Sequence, residues 1–450
     1  MADVDLLLGG ARHPSVALGS RRWREKPRAG TGAGVSGRVV STSRPWSRSS
    51  SVLAAILVPL AVAAIMAMVA LWPSGTTATQ DSIVAVDTAY AASTVTGAVA
   101  QRCESSSEDR LPDGTIPARV DCLRVQATVS SGPHAGLDVE VWATAGLEVK
   151  DVPIGTRITL EHYEAIAGSE EVWAWHDFAR SLPLLVLAGA FAVVTIAVAG
   201  MRGLRALIGL ALSFVVIAAF MLPALLAGED ALLVGLVGST VIMFVVLYLA
   251  HGLSRRTSTA LLGTMAGLGV TAGLGVIAAR AAHITGVTSE DNFRLAVLLG
   301  QADSTALRGI FLCGVVLAGL GVLNDVTITQ ASAVWELRSA DPGATRRDLF
   351  TRAMRIGRDH IASTVYTIAF AYAGASLPVL LLVEIYHLPL AQTLTGGEFA
   401  GEIVRTLVGS IGLVLAIPLT TAIAALVATT DPVTAPRQRH RMAKTVGHVH

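Results

Sequence analysis

Charge is scarce in this sequence. Asp, Glu, Lys and Arg make up 15% of its 450 residues, against about 25% in a soluble globular domain. So few charges cannot build an ordinary water-facing surface. Cysteine is scarcer still. Three residues exclude a disulfide scaffold or a thiolate metal cluster. A formal net charge of +1 carries no nucleic-acid footprint. Enzyme signatures are missing as well: there is no P-loop, no His-Glu-x-x-His, no Gly-x-Ser-x-Gly and no Rossmann fingerprint. Active transport would therefore draw on an ion gradient or a separate ATPase. Apolar residues are what the chain has, at 52% with a mean hydropathy of +0.60.

Those residues fall in long runs. Residues 1–50 read as a disordered basic tail carrying Arg12, Arg21, Arg22, Arg24, Lys26, Arg28, Arg38, Arg44 and Arg48. Val52–Leu71 then suffices to cross a hydrocarbon core of about 30 Å. A cleaved signal peptide is the competing reading. The long basic region and the length of the run favour an uncleaved anchor, and the Ala89-Tyr90-Ala91 triplet lies too far downstream for cleavage. Residues 73–180 change character: Arg119–Val129, Leu137–Ala145 and Arg157–His162 are rich in β-branched residues and punctuated by Gly132-Pro133, Gly136, Gly146 and Pro153-Ile154-Gly155. This pattern predicts a small β-rich domain, for which an OB-like barrel fits the size. Seven more spans follow near Leu182–Gly200, Ala206–Leu226, Ala231–Ala250, Thr257–Ala281, Leu307–Leu323, Ile361–Val383 and Leu407–Ala428. The expected fold is an α-helical integral membrane protein of about eight transmembrane helices, with the β-rich domain inserted between helices one and two.

Alternate loops are basic: the N-terminal tail, Met201–Arg205, His251–Arg256, Arg338–Arg358, and the tail after residue 430 with Arg437, Arg439, Arg441 and Lys444. The other connections are acidic or mixed: Gly228-Glu229-Asp230, Ser289–Asp303 and Glu384–Glu402. The positive-inside rule then places both termini in the cytoplasm and residues 73–180 outside. A Cys103–Cys122 bridge is permitted there. It would close a loop of roughly 20 residues and contribute about 3 kcal/mol. Two free thiols are the other reading. Cys313 falls within a span as packing.

Four stretches carry a family resemblance: Gly321-Val322-Leu323-Asn324-Asp325-Val326-Thr327-Ile328-Thr329-Gln330; Ile356-Gly357-Arg358-Asp359-His360-Ile361-Ala362-Ser363-Thr364-Val365; Ala371-Tyr372-Ala373-Gly374-Ala375-Ser376-Leu377-Pro378; and Glu402 to Gly412. Together they resemble the YibE/F family of bacterial multi-pass membrane proteins over roughly residues 180–428. The resemblance implies an N-terminal anchor, an outer domain and a helical membrane domain, and no settled activity. This chain has Asn324-Asp325 where the family's usual pattern has Asp-Asp.

Candidate chemistry concentrates in the last three spans. Asp325, Thr329, Ser332 and Glu336 share one helical face, flanked by Thr327 and Gln330. They read as a cation or proton site, or as the polar face of a helix already clear of the bilayer. Arg358, Asp359 and His360 stand at the cytoplasmic start of span seven, and Ser363 continues the polar face with Tyr366 or Thr367. They read as a mobile charged cluster, or as interface anchoring with Asp359 favoured by the helix dipole. His360 has no second His or Cys at ligand spacing, so no metal site is expected there. Residues 345–357 read as a basic amphipathic helix on the inner leaflet. Glu402 and Arg405 are spaced to pair, and Gly263/Gly267 and Gly269/Gly273 are two Gly-xxx-Gly pairs for close helix approach. Asp325 and Asp359 lack the Gly-x-Gly-Asp context of an intramembrane aspartyl pair, so no enzyme is expected.

The sequence thus supports a permease-like protein moving a small solute or ion past Asn324, Asp325 and their neighbours. The alternative is a non-transporting scaffold or sensor whose outer β-rich domain binds a ligand or envelope partner. The expected partners are the lipid bilayer, an unknown small solute or ion, and a second copy of the chain or an envelope protein. Neither nucleic acid nor a cofactor is expected.

Overall fold

The structure, a computed structural model, describes residues 48–73, 88–105, 109, 111, 114–144, 146–163, 171–286, 295, 297, 304–385, 387 and 389–430. Most of the N-terminal tail, most of the 287–303 connection and the tail after residue 430 lie outside the described residues.

Helix α1 (Arg48–Ala70) is followed by strands β1 (Thr88–Glu104), β2 (Arg119–Val129), β3 (Asp138–Trp142), β4 (Arg157–Tyr163) and β5 (Val172–Phe178). They form one antiparallel sheet in the order β3-β2-β1-β4-β5. The long β1 pairs with β4 through its first half and with β2 through its second, with a bulge between Val95 and Gly97. A bulge of this kind bends a strand and lets one ladder serve two neighbours. The sheet edges β3 and β5 approach each other. Alternation buries Val95, Leu123, Val125, Ala127, Val141, Ile158 and Leu160 on one face. The Ala89-Tyr90-Ala91 triplet lies inside β1. Cys103 and Cys122 are joined in a disulfide across β1 and β2, with a Cα–Cα distance of 6.0 Å.

The helical part begins with α2 (Ser181–Ala199) and α3 (Met201–Val216). A π-helical turn at Ile217–Met221 links α3 to α4 (Leu222–Leu226). Then come α5 (Ala231–His251), α6 (Arg255–Ala281), α7 (Ser304–Ala340), α8 (Arg346–Ala375), α9 (Leu377–Ile385), α10 (Leu390–Thr395) and α11 (Gly397–Thr429). Seven helices among the described residues are long and apolar enough to cross a membrane. The number rises to eight if α8 and α9, bent by 66° between them, form one broken span. Pro378 stands at the second position of α9, where its ring costs no helical hydrogen bond and favours a new start after Ser376.

The packing is graded. α6, α7 and α11 pack closely on one another, α5 lies against α7, and α8 against α11. α1 and α3 lie against α5, and α2 has no buried residue. Leu182, Leu185, Leu187, Val193 and Val198 on α2 are exposed, the surface that a helix facing lipid presents.

Two sequence expectations change. The span expected at Leu307–Leu323 is the first half of a helix of 37 residues, about 55 Å long and so longer than a hydrocarbon core. Residues 345–357 do not form a separate interfacial helix. They are the start of α8, capped by Thr345 and Asp348 in a reciprocal box. Their apolar side packs on protein: Leu349 lies with Ala344 and Ala425, and Ala353 with Val334 and Ala424. Arg352 pairs with Asp341 at 3.1 Å and Arg346 donates to Thr429 Oγ1 at 3.0 Å. These bonds tie α8 to the loop before it and to the end of α11.

Candidate functional site

The polar residues of α7 divide between two faces. Asp325, Thr329 and Glu336 are exposed and Ser332 is half-buried, its hydroxyl turned back to the Ile328 carbonyl at 2.6 Å. Thr327 and Gln330 point the other way and are buried. The Thr327 hydroxyl shares a hydrogen bond of 2.6 Å with Thr264 of α6. Gln330 donates to Thr421 Oγ1 of α11 at 2.8 Å and to the Ala353 carbonyl of α8 at 2.9 Å. One amide therefore ties three helices together. Gly357 of α8 permits this approach, because a Cβ there would lie 3.1 Å from Gln330 Oε1 and 2.7 Å from Ile417.

The seam continues through threonines packed on glycines. Thr420 sits in the notch left by Gly263, and Thr271 in the notch left by Gly412. Gly267 lies against Leu323 and Ala416. Small residues of this kind let helices approach closely and use hydroxyls as glue. The Thr259 and Thr420 hydroxyls are buried without a hydrogen-bond partner. Of the two Gly-xxx-Gly pairs, Gly263/Gly267 makes close contacts and Gly269/Gly273 meets nothing within 4 Å.

The second predicted cluster is partly assembled. His360 Nε2 lies 3.9 Å from Asp325 Oδ2, and the Asp325 side chain is 73% exposed. His360 Nε2 and Asn324 Oδ1 are buried without hydrogen-bond partners. Arg358, Asp359 and Ser363 are exposed. Glu402 and Arg405 pair at 2.7 Å, and the Arg405 guanidinium stands over the Phe311 ring at 5.4 Å.

A cavity of about 440 Å³ opens at the other end of α6 and α7 from Asp325 and His360. Leu225 of α4, the Gly228-Glu229-Asp230 turn, Leu232 of α5, Val276 and Arg280 of α6, and Ala306, Arg308, Gly309 and Leu312 of α7 line it. Asp230 caps α5 by accepting from the Leu233 amide at 2.9 Å, and Arg308 donates to the Ile284 carbonyl at 2.9 Å. Carboxylates and guanidinium groups thus meet at one mouth. Sequence reasoning saw Glu229 and Asp230 only as an acidic loop, because the groove exists only once three separate stretches of chain, 225–232, 276–280 and 305–312, meet.

A further cluster that the sequence did not disclose lies in the sheet domain. His134, His162 and Glu171 each bring a ligand atom within 4.8 Å of the others.

Long apolar helices, a polar seam between them and an inserted sheet define a helical protein of the multi-pass membrane type. The chain belongs to the YibE/F-like protein family, whose model matches residues 187–430. No curated protein and no solved structure matches it.

Proposed function

We propose that this chain is a permease-like membrane protein that moves a small solute or ion, with its outward mouth at the cavity between α4, α5, α6 and α7. The observation that carries this reading is the cavity itself. Its volume of about 440 Å³ falls in the usual range of small-molecule sites, about 300–1,000 Å³. Below it the pathway is closed by packing. From Leu312 to Thr327 the descent along α7 is about 22 Å, ending at the Thr264–Thr327 and Gln330–Thr421 bonds. The unpartnered Asn324 Oδ1 and His360 Nε2 supply polar groups at about the depth of that closure, beside Asp325.

Two interruptions support movement. The π turn at Ile217–Met221 places buried Phe220 and Met221 beside the cavity-lining α4, and π turns concentrate at functional sites. The α8–α9 bend is the other, and broken helices recur in transporters. The orientation keeps the basic loops and both termini in the cytoplasm and the sheet domain outside, where the Cys103–Cys122 bridge is permitted. The approach of edges β3 and β5 in a five-stranded sheet supports an OB-like, partly open barrel. A protein of this kind acts without an enzymatic step.

The test is flux. Proteoliposomes containing the full chain are exposed to gradients of Na⁺, K⁺, Mg²⁺ and H⁺ while currents are recorded. The Ala306→Trp protein, which fills the cavity, serves as comparison. A current lost in the variant supports the reading. Equal signals from the two proteins, including no signal from either, contradict it. The second reading, a sensor or scaffold acting through its outer domain, is favoured by the His134, His162 and Glu171 cluster.

A further inference from the structure

We infer that His134, His162 and Glu171 form a binding site for one divalent transition-metal ion of the zinc type, on the sheet domain. This inference stands independently of the transport reading. It begins with a residue in the wrong place. The alternation of β4 puts Ile158, Leu160 and His162 on the buried face, and His162 is only 3% exposed. A polar ring at a core position costs free energy unless its nitrogens are engaged.

Among the described residues, the hydrogen-bond partner of His162 is Glu171, with Nε2 to Oε1 at 2.5 Å. His134 Nδ1 approaches that same oxygen at 3.8 Å. Two imidazoles therefore converge on one carboxylate oxygen. The opposite arrangement stands nearby for contrast. Glu161 gives one oxygen to the His176 ring at 2.8 Å and the other to the Tyr163 hydroxyl at 2.6 Å. That carboxylate is satisfied as an ordinary hydrogen-bonded network. The first cluster has the convergence of a ligand set.

The scaffold holds the rings in place. Trp173 is the cross-strand neighbour of His162 in the ladder. It stacks on the His162 ring at 4.3 Å and meets the His134 ring edge-on at 5.6 Å. His134 sits in the β2–β3 turn between Gly132 (φ 83°) and Gly136 (φ 92°), both in the left-handed region. The turn is fastened by the bonds from Gly136 N to Val129 O at 2.8 Å and from Leu137 N to His134 O at 3.1 Å.

Ligand atoms about 2.0–2.1 Å from a tetrahedral ion stand roughly 3.3 Å apart. The three ligand atoms here lie within 4.8 Å of one another, with 2.5 Å and 3.8 Å from Glu171 Oε1 to the two rings, spacings that bracket that value. The donor set selects the ion. Imidazole nitrogens suit zinc, nickel and copper. Calcium takes six to eight oxygens, more than one carboxylate provides. Three protein ligands leave a fourth position for water or a ligand atom, as in exchangeable zinc sites.

The experiment uses the full chain in detergent, stripped with chelator and then titrated with Zn²⁺, with bound metal counted by mass spectrometry after desalting. Co²⁺ loading supplies a second readout through the visible absorption of tetrahedral cobalt. We expect one ion per chain. Affinity should fall about tenfold or more in His134→Ala and in Glu171→Gln, whose parent side chains are partly exposed and whose fold is checked by circular dichroism. His162→Ala should lose the cobalt spectrum. Unchanged zinc affinity in both His134→Ala and Glu171→Gln overturns the site, because any bound zinc then sits elsewhere. So does the absence of binding at one equivalent of zinc.

Discussion

Thr264 of α6 and Thr327 of α7 share a hydrogen bond of 2.6 Å inside the helical bundle, and neither side chain is exposed. The bond fastens α6 to α7 on the buried side of α7, away from the exposed Asp325. Interhelical bonds of this kind contribute about 0.6 kcal/mol on average and up to about 1.7 kcal/mol in membrane proteins. A double-mutant cycle with Thr264→Val and Thr327→Val should return a coupling in that range when unfolding is followed in mixed detergent micelles. Strict additivity of the two changes would contradict the pairing.

The two Gly-xxx-Gly pairs of α6 should behave differently. A Cβ at Gly263 would collide with the Thr420 side chain, and one at Gly267 would lie 2.8 Å from Leu323 and 3.0 Å from Ala416. Overpacking costs about 1–3 kcal/mol, so Gly263→Ala and Gly267→Ala should each destabilise the bundle. Thr420→Ala should rescue the first in part, because the Cβ at position 420 would still lie 2.9 Å away. Gly269→Ala and Gly273→Ala meet nothing within 4 Å, and the gain in helix propensity of up to about 1 kcal/mol should stand unopposed. Melting temperatures of the four proteins decide the matter.

The bridge from Cys103 to Cys122 spans a sequence separation of 19. Loop-closure entropy for that length is about 3 kcal/mol. The Cys103→Ser/Cys122→Ser protein should therefore show earlier unfolding of the sheet domain, read from the fluorescence of Trp142, Trp173 and Trp175, while the helical circular dichroism signal holds. A matched melting profile would show that the bridge adds nothing.

Glu161 gives the sheet domain a pH dependence with a definite sign. The Tyr163 hydroxyl, and after it the His176 ring, hold the Glu161 carboxyl below the usual carboxylate range, against a smaller opposing effect of burial than the Tyr163 bond. A carboxylate so held contributes stability above its unfolded pKa, and that stability is lost as pH falls through the folded value. Tyr163→Phe should lower the melting temperature of the domain at neutral pH, and the difference from wild type should vanish in acid. A difference that persists unchanged in acid would assign the effect of Tyr163 to packing.

Run length made the helical spans legible in the sequence, because about 20 apolar residues have few alternatives. The β-branched clusters and Gly-Pro punctuation did the same for three of the strands. The site was only half legible. Helical spacing grouped Asp325, Thr329 and Glu336 correctly on one face, yet spacing does not say what that face meets. The buried side is chosen by distant threonines and glycines on α6, α8 and α11, which take up Thr327 and Gln330. Residues 345–357 looked interfacial because they are basic and amphipathic, and Ala425 and Ala424 supply the cover that the sequence could not show. His134, His162 and Glu171 lie on separate segments, so no local ligand spacing connects them. The sheet order brings them together.

In the permease reading, the polar seam opens and closes between two faces of the membrane. Single cysteines at Ala306 and at Thr264, in a Cys313→Ser background, test this with a membrane-impermeant maleimide applied to one face at a time. Ala306→Cys should react from the face carrying the sheet domain. Thr264→Cys should be protected from that face while reacting from the opposite one in a fraction of molecules. If Ala306→Cys reacts and Thr264→Cys reacts from neither face under any applied ion gradient, the bundle is static and the permease reading is contradicted.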